Sequence, residues 1–236
     1  MTRNEQQSAI THSDDANEVG VLLTRPRGYR AFKTVFMLGR TRTLNAGLVA
    51  LSGAFPGAYA IDIGSGPGDL ARALVARVGA SGRVIGVDPS PKMVAYAADR
   101  ARGLPNCRFE LGPAQSLTLA DASVDIVTCT FVMHHIPEAQ RGTALAHMFR
   151  VLRPGGRLLL ADTHPTGRVL PAVIKGMSRF AGHRTHDVAA VGRHADPLAA
   201  IDIRRYREAL LEAGFRTVDF AEVKPSTGAL LAVKEG

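Results

Sequence analysis

The chain has 236 residues, 46% of them hydrophobic, enough for one sizeable α/β domain with a proper core and too apolar for disorder throughout. Its two cysteines, Cys107 and Cys129, stand 22 positions apart, which excludes a disulfide framework and a metal knuckle and makes a reducing cytoplasm the simplest compartment. The formal net charge of +8 is uneven: no acid occurs between Glu18 and Asp62 or between Asp162 and Asp187, and the ten cations there exceed the whole net.

The opening twenty residues are polar, lack the apolar core of a secretory signal, and read as a disordered tail. Residues 21–56 read as N-terminal cap helices. Within them the uncharged stretch from Thr43 to Ile61 holds Asn45, Pro56 and three glycines, which favours a buried helix and a turn over a membrane span. From residue 57 short apolar runs alternate with longer amphipathic ones. "YAIDIG" is a strand, "GDLARALVARVGA" a helix closed by Gly79, and "GRVIGVD" a strand. Ser90 and Pro91 then open a helix over "PKMVAYAADRARG".

"CRFELG" and "VDIVTCTFVM" read as the third and fourth strands. "EAQRGTALAHMFRVL" is a helix stopped by Pro154-Gly155-Gly156, where a turn is expected, and "RLLLAD" is the fifth strand. "RRYREALLEAG" is a last helix, and "FRTVDFAEV" and "ALLAVKE" flank the tight turn "KPSTG", so that pair is antiparallel. The alternation predicts an α/β fold: a doubly wound, seven-stranded mixed sheet whose last strand is antiparallel. The core spans 57–236, with a lid insert over 163–200 on the substrate side.

In "DIGSGPGD" the glycines 64, 66 and 68 remove side chains at every second position of the first strand-to-helix turn. A ligand can there approach backbone N–H groups without meeting a Cβ. Asp88 ends the second strand 20 residues beyond Gly68, where a carboxylate can accept both hydroxyls of a ribose. A dinucleotide fingerprint needs a third glycine at position 69, which is Asp. Acids at 62 and 69 suit a cationic ligand better than a pyrophosphate, favouring S-adenosylmethionine over NAD.

These residues resemble class I S-adenosylmethionine-dependent methyltransferases of the small-molecule group that includes the quinone and sterol C-methyltransferase type. "DIGSGPG" is similar to that family's first motif, "VDPSPKMV" to its second, and "GPAQSLTLADASVDIVTC" to its G-D-A-x-x-L-P-F-x-D-x-S-F-D pattern. "FVMHHIP" and "LRPGGRLLLAD" follow in family order. The resemblance implies that Asp62 and the loop Gly64, Ser65, Gly66 and Gly68 hold the methionine end. It implies Asp88 on the ribose, Pro89 and Met93 against the adenine, Ala114 and Gln115 at its edge, and Thr130 and Phe131 under the sulfonium. Pro113 stands where the family has an acid that accepts from the adenine amino group. Losing one such hydrogen bond costs about 0.5–1.5 kcal/mol, and Gln115 is the candidate substitute.

Methyl transfer needs alignment more than acid or base, and positioning supplies roughly 7–11 kcal/mol. His134 and His135, just past the fourth strand, are the candidate catalytic residues, against the alternative that one packs and the other spaces. No metal-like spacing is present. The expected acceptor is a small molecule, acidic and aromatic or isoprenoid and lipid-like, with peripheral membrane contact through the basic segments set against a merely solvated face.

A nucleic-acid methyltransferase is the first rival. "CTFVMHHIP" lacks the Asn/Asp-Pro-Pro-aromatic element of base-amino enzymes, neither cysteine follows a proline, and no aromatic-interleaved basic platform is present, so nucleic acid is not expected. A protein that binds the cofactor or a hydrophobic ligand without catalysis is the second. The pattern assigns neither an oligomeric state nor the acceptor atom.

Overall fold

The computed structural model describes residues 26–28, 39–164, 202–224 and 226–236. The expected tail 1–20 and all of the insert except Thr163 and His164 lie outside the described residues. The elements in chain order are α1 (Thr41–Leu51), β1 (Tyr59–Ile63), α2 (Asp69–Val78), β2 (Arg83–Asp88), α3 (Pro91–Arg100) and β3 (Cys107–Leu111). There follow β4 (Val124–Thr130), α4 (Glu138–Val151), β5 (Leu152–Thr163), α5 (Arg207–Glu212), β6 (Thr217–Val223) and β7 (Thr227–Val233). The strands form one seven-stranded sheet in the order β3-β2-β1-β4-β5-β7-β6. The first five run parallel, each joined by a crossover, and β7 is antiparallel to both β5 and β6 because only residues 224–226 separate it from β6.

Period-two alternation of the strands divides the core into two layers. Ile61, Ile63, Ile85 and Val87 face one layer with Leu145, Met148 and Phe215, beneath α4 and α5. Ala60, Val84, Ile126 and Leu159 face the other, beneath α1 and α2, whose Leu44, Leu48, Leu70 and Leu74 are at most 5% exposed. Each such leucine contributes about 1.5–3 kcal/mol by leaving water. The stretch read as a buried helix is α1, and among the described residues no helix is long and apolar enough to cross a membrane.

Two boundaries differ from the sequence reading. The Pro154-Gly155-Gly156 run does not break the chain between α4 and the fifth strand. Gly155 adopts φ +78°, its N–H donates to the Lys234 carbonyl at 2.7 Å, and the Lys234 N–H returns to Gly156 at 3.0 Å. The run is thereby stitched to the chain just past β7, and β5 starts at Leu152. The fourth strand stops at Thr130, because Phe131 takes φ +60° and the chain then tightens into a 3-10 turn over Met133–His135.

The sheet order reverses between β1 and β4, so their carboxyl ends open the crevice in which such folds seat ligands. Ile63 pairs with Cys129 at that edge. The glycine loop, Asp88 and the turn after β4 all leave the sheet on this side.

Candidate functional site

The loop after β1 is held open by backbone geometry. Gly64, Gly66 and Gly68 have φ of +63°, +50° and +76°, in the left-handed region that disfavours a Cβ. Space is restricted as well: a Cβ on Gly64 would lie 2.2 Å from Val132 Cγ2, and one on Gly68 would lie 2.7 Å from Phe109 Cζ. The Ser65 N–H donates to the Val87 carbonyl, which ties the loop to β2. Ser65 Oγ itself is buried without a hydrogen-bond partner.

Asp88 joins loop to strand end. Its Oδ2 accepts from Gly66 N–H at 2.8 Å and its Oδ1 from Ser90 N–H at 2.9 Å. Each oxygen keeps further lone-pair capacity, so the carboxylate can both brace the loop and accept from a diol. Burial raises the Asp88 carboxyl above the usual carboxylate range, and the two N–H groups oppose that rise.

Asp62, on β1, is 2% exposed and accepts from Thr128 Oγ1 on the paired strand at 2.8 Å. Asp69, the other acid that favoured a cationic ligand, is held by Arg100 at 2.7 Å, while the same guanidinium donates to the Pro67 carbonyl. Its negative charge is balanced within the fold, so it braces the helix start. Of the residues expected at the adenine, Pro89 is half-buried, Met93 and Ala114 are buried, and Gln115 Nε2 donates to Gln140 Oε1 at 2.6 Å. Met93 belongs to neither of the two core layers. Leu111, opposite Asp88 in the ladder, is 61% exposed beside this edge.

Past β4 the polar groups converge. Thr130 pairs with Ala161, and the Phe131 N–H donates to the Ala161 carbonyl at 2.8 Å, which sets the next turn beside the end of β5. His134 Nδ1 lies 2.7 Å from Oδ2 of Asp162, a carboxylate that is 2% exposed. An Nδ1–H held by that carboxylate leaves Nε2 with its lone pair free to accept a proton. His135 packs with its ring centroid 4.1 Å from that of His134. Burial pushes the His135 imidazole down to about 4, His134 adds to the effect and Asp162 opposes it.

Asp162 is the residue that the sequence reading passed over. An acid ending a strand that neighbours the fourth was visible, but its pairing with a histidine 28 positions away was not. Tyr206 was passed over too: its hydroxyl is buried without a partner, and burial raises the phenol above its ordinary value, with Arg141 and Arg205 opposing. The thiols offer no nucleophile, since burial pushes Cys107 up to about 11 and raises the fully buried Cys129 further. Among the described residues no group of three His, Cys, Asp or Glu could hold a metal.

The S-adenosylmethionine implied by the resemblance can be tested against this edge. The bare left-handed loop, the buried unpartnered Ser65 hydroxyl and the remaining lone pairs of the strand-ending Asp88 together offer polar contacts that the protein alone leaves unused. The residues fit the group.

Residues 60–156 match the model of a methyltransferase domain. A demethylmenaquinone methyltransferase of Lactobacillus johnsonii is 30% identical over 186 residues, covering 74% of this chain and 74% of that one. An uncharacterised 37.1 kDa protein of a Streptomyces fradiae transposon is 44% identical over 107 residues; the match spans 45% of this chain and 30% of that protein's length. Among solved structures, a SAM-dependent methyltransferase from Aquifex aeolicus superposes with a TM-score of 0.67 at 20% identity, covering 89% of this chain and 98% of that one, which is a likeness of fold.

Proposed function

Because the chain belongs to the class I S-adenosylmethionine-dependent methyltransferases, we propose that it transfers the activated methyl to a small, apolar, proton-bearing acceptor of the quinol or isoprenoid kind. The bound donor supplies a methyl group on a sulfonium, and the chain's own residues do the rest. Asp62 and the backbone of Gly64, Ser65, Gly66 and Gly68 hold the methionine end. Asp88 takes the ribose hydroxyls, Pro89, Met93, Ala114 and Gln115 bound the adenine, and Thr130 and Phe131 lie under the reacting centre. Positioning and exclusion of water carry most of the acceleration.

One observation carries the choice of acceptor: the 2.7 Å contact of His134 Nδ1 with the buried Asp162 at the crevice mouth. With Nδ1 engaged by the carboxylate, Nε2 is the nitrogen of His134 left to take a proton as the acceptor hydroxyl or enol becomes nucleophilic. His135, kept neutral by burial, is the second base candidate. The relative from Lactobacillus johnsonii, named for a demethylated menaquinone, supports the same class of acceptor.

The segments 21–56 and 163–200 carry the chain's excess positive charge. Their acid-free basic stretches bring the protein against an anionic membrane surface, where such an acceptor is dissolved, in the cytoplasm. The test is transfer of labelled methyl to three matched acceptors: a demethylated naphthoquinol with an isoprenoid tail, the same ring without it, and a carboxylated analogue. Label in the tailed quinol at the highest kcat/KM supports the reading. Equal label in all three, or label in RNA or DNA alone, would contradict it.

A further inference from the structure

A polar cavity lies between α1 and α2, bordered at one end by Asp69, just past the glycine loop. It encloses about 1280 Å³ and is lined by Thr41, Arg42, Asn45, Arg72, Arg77 and Arg100, with small apolar side chains between them. Among the described residues its one lining acid is Asp69, which Arg100 already holds at 2.7 Å. Four guanidinium groups thus face one carboxylate. The start of α1 also opens here: the eleven-residue helix has no acid in its first turn and no side-chain cap at Arg40. Its first N–H groups and the positive end of its dipole favour an anion.

Independent of the helix end, buried polar atoms in the cavity wall lack partners. Asn45 is 6% exposed, yet its Oδ1 has no hydrogen-bond partner, and the same holds for Thr41 Oγ1 and Arg72 Nε. Three such atoms around one cavity, two on α1 and one on α2, are uncommon, because buried polar groups are nearly always satisfied. Donors at Arg72 and Arg42 with a hydroxyl at Thr41 match the several oxygens of a phosphate, which guanidinium groups grip in pairs. The Asn45 carbonyl calls for a donor, such as a hydroxyl on the organic part of the ligand, and the volume leaves room for one.

We propose that the α1–α2 cavity binds a phosphate monoester that carries hydroxyl groups, seated on Arg42 and Arg72 with Thr41 and Asn45. None of these four residues is among those assigned to the donor, and the proposal holds whatever the methyl acceptor proves to be. Two sources share this chemistry, a soluble sugar or glycerol phosphate and a phospholipid headgroup.

Calorimetric titration of the full chain with glycerol 3-phosphate, and cosedimentation with phosphatidylcholine vesicles doped with lysophosphatidic acid, whose headgroup keeps a free glycerol hydroxyl, separate them. The account expects saturable binding of one or both, weakened at least tenfold by Arg72→Gln and by the exposed-site variant Arg42→Gln, with affinity for S-adenosylhomocysteine unchanged. Soluble ester alone identifies a metabolite site, and vesicles alone a headgroup site. The proposal is overturned if the wild type takes up neither, if both variants bind as the wild type does, or if phosphatidylserine vesicles bind equally well, which marks diffuse charge. Uptake of RNA with no uptake of either phosphate ester also overturns it.

Discussion

Acidification should find a weak point at His135. The ring is neutral in the fold because burial pushes it down to about 4, whereas in the unfolded chain it titrates near the ordinary 6.5. Below pH 6.5 the unfolded state therefore binds a proton that the folded state refuses until about pH 4. The stabilising term is complete above pH 6.5 and drains as pH falls towards the folded value. At about 1.36 kcal/mol per unit, the loss by pH 4.5 is about 2.5 kcal/mol. For a chain of this length that corresponds to roughly 5–10 °C in Tm. The assay compares thermal unfolding of the wild type and His135→Gln at pH 7.5 and 4.5, so that Asp88 and the His134–Asp162 pair act equally in both. The wild type should lose about 2.5 kcal/mol more than the variant. Equal losses would refute the claim that the fold buries this imidazole uncharged.

Four further outcomes follow from the structure. Gly64→Ala should lose about 2–5 kcal/mol of stability, from its left-handed backbone and the 2.2 Å approach to Val132. Gly79→Ala, with φ +69°, ψ −172° and nothing within 4 Å of a Cβ, should lose only the backbone part, about 1–3 kcal/mol, when both variants are titrated with denaturant. Asp88→Asn turns a donor towards Gly66 or Ser90 and removes the charged acceptor for the diol. With charged hydrogen bonds at about 1.5–3 kcal/mol each, calorimetry with S-adenosylhomocysteine should show at least about hundredfold weaker binding. Asp162→Asn should lower kcat about ten- to hundredfold with donor affinity unchanged, and adding it to His134→Gln should lower kcat no further.

The sheet was legible because its strands are apolar runs too short for helices, and because Gly64 to Gly68 and Asp88 fall where a first crossover ends. The hairpin of β6 and β7 was legible from a turn too short for a crossover. Contacts between distant segments were not. Nothing local announces that Gly155 pairs with Lys234, or that Arg100 neutralises Asp69, since each depends on where two separate elements come to rest. Phe131 is a plainer case: an aromatic residue at φ +60° contradicts its own propensity, and packing under the crevice overrides it. The His134–Asp162 pair joins the ends of neighbouring strands, so only the sheet order reveals it.

The central claim is that the β1–α2 loop and Asp88 seat an adenosyl thioether donor. Its most direct test is a calorimetric titration of the purified wild-type chain with S-adenosylhomocysteine, run beside NADH. The account predicts saturable one-to-one uptake of the thioether and none of the dinucleotide. Silence with the first, or saturation with the second, would contradict it.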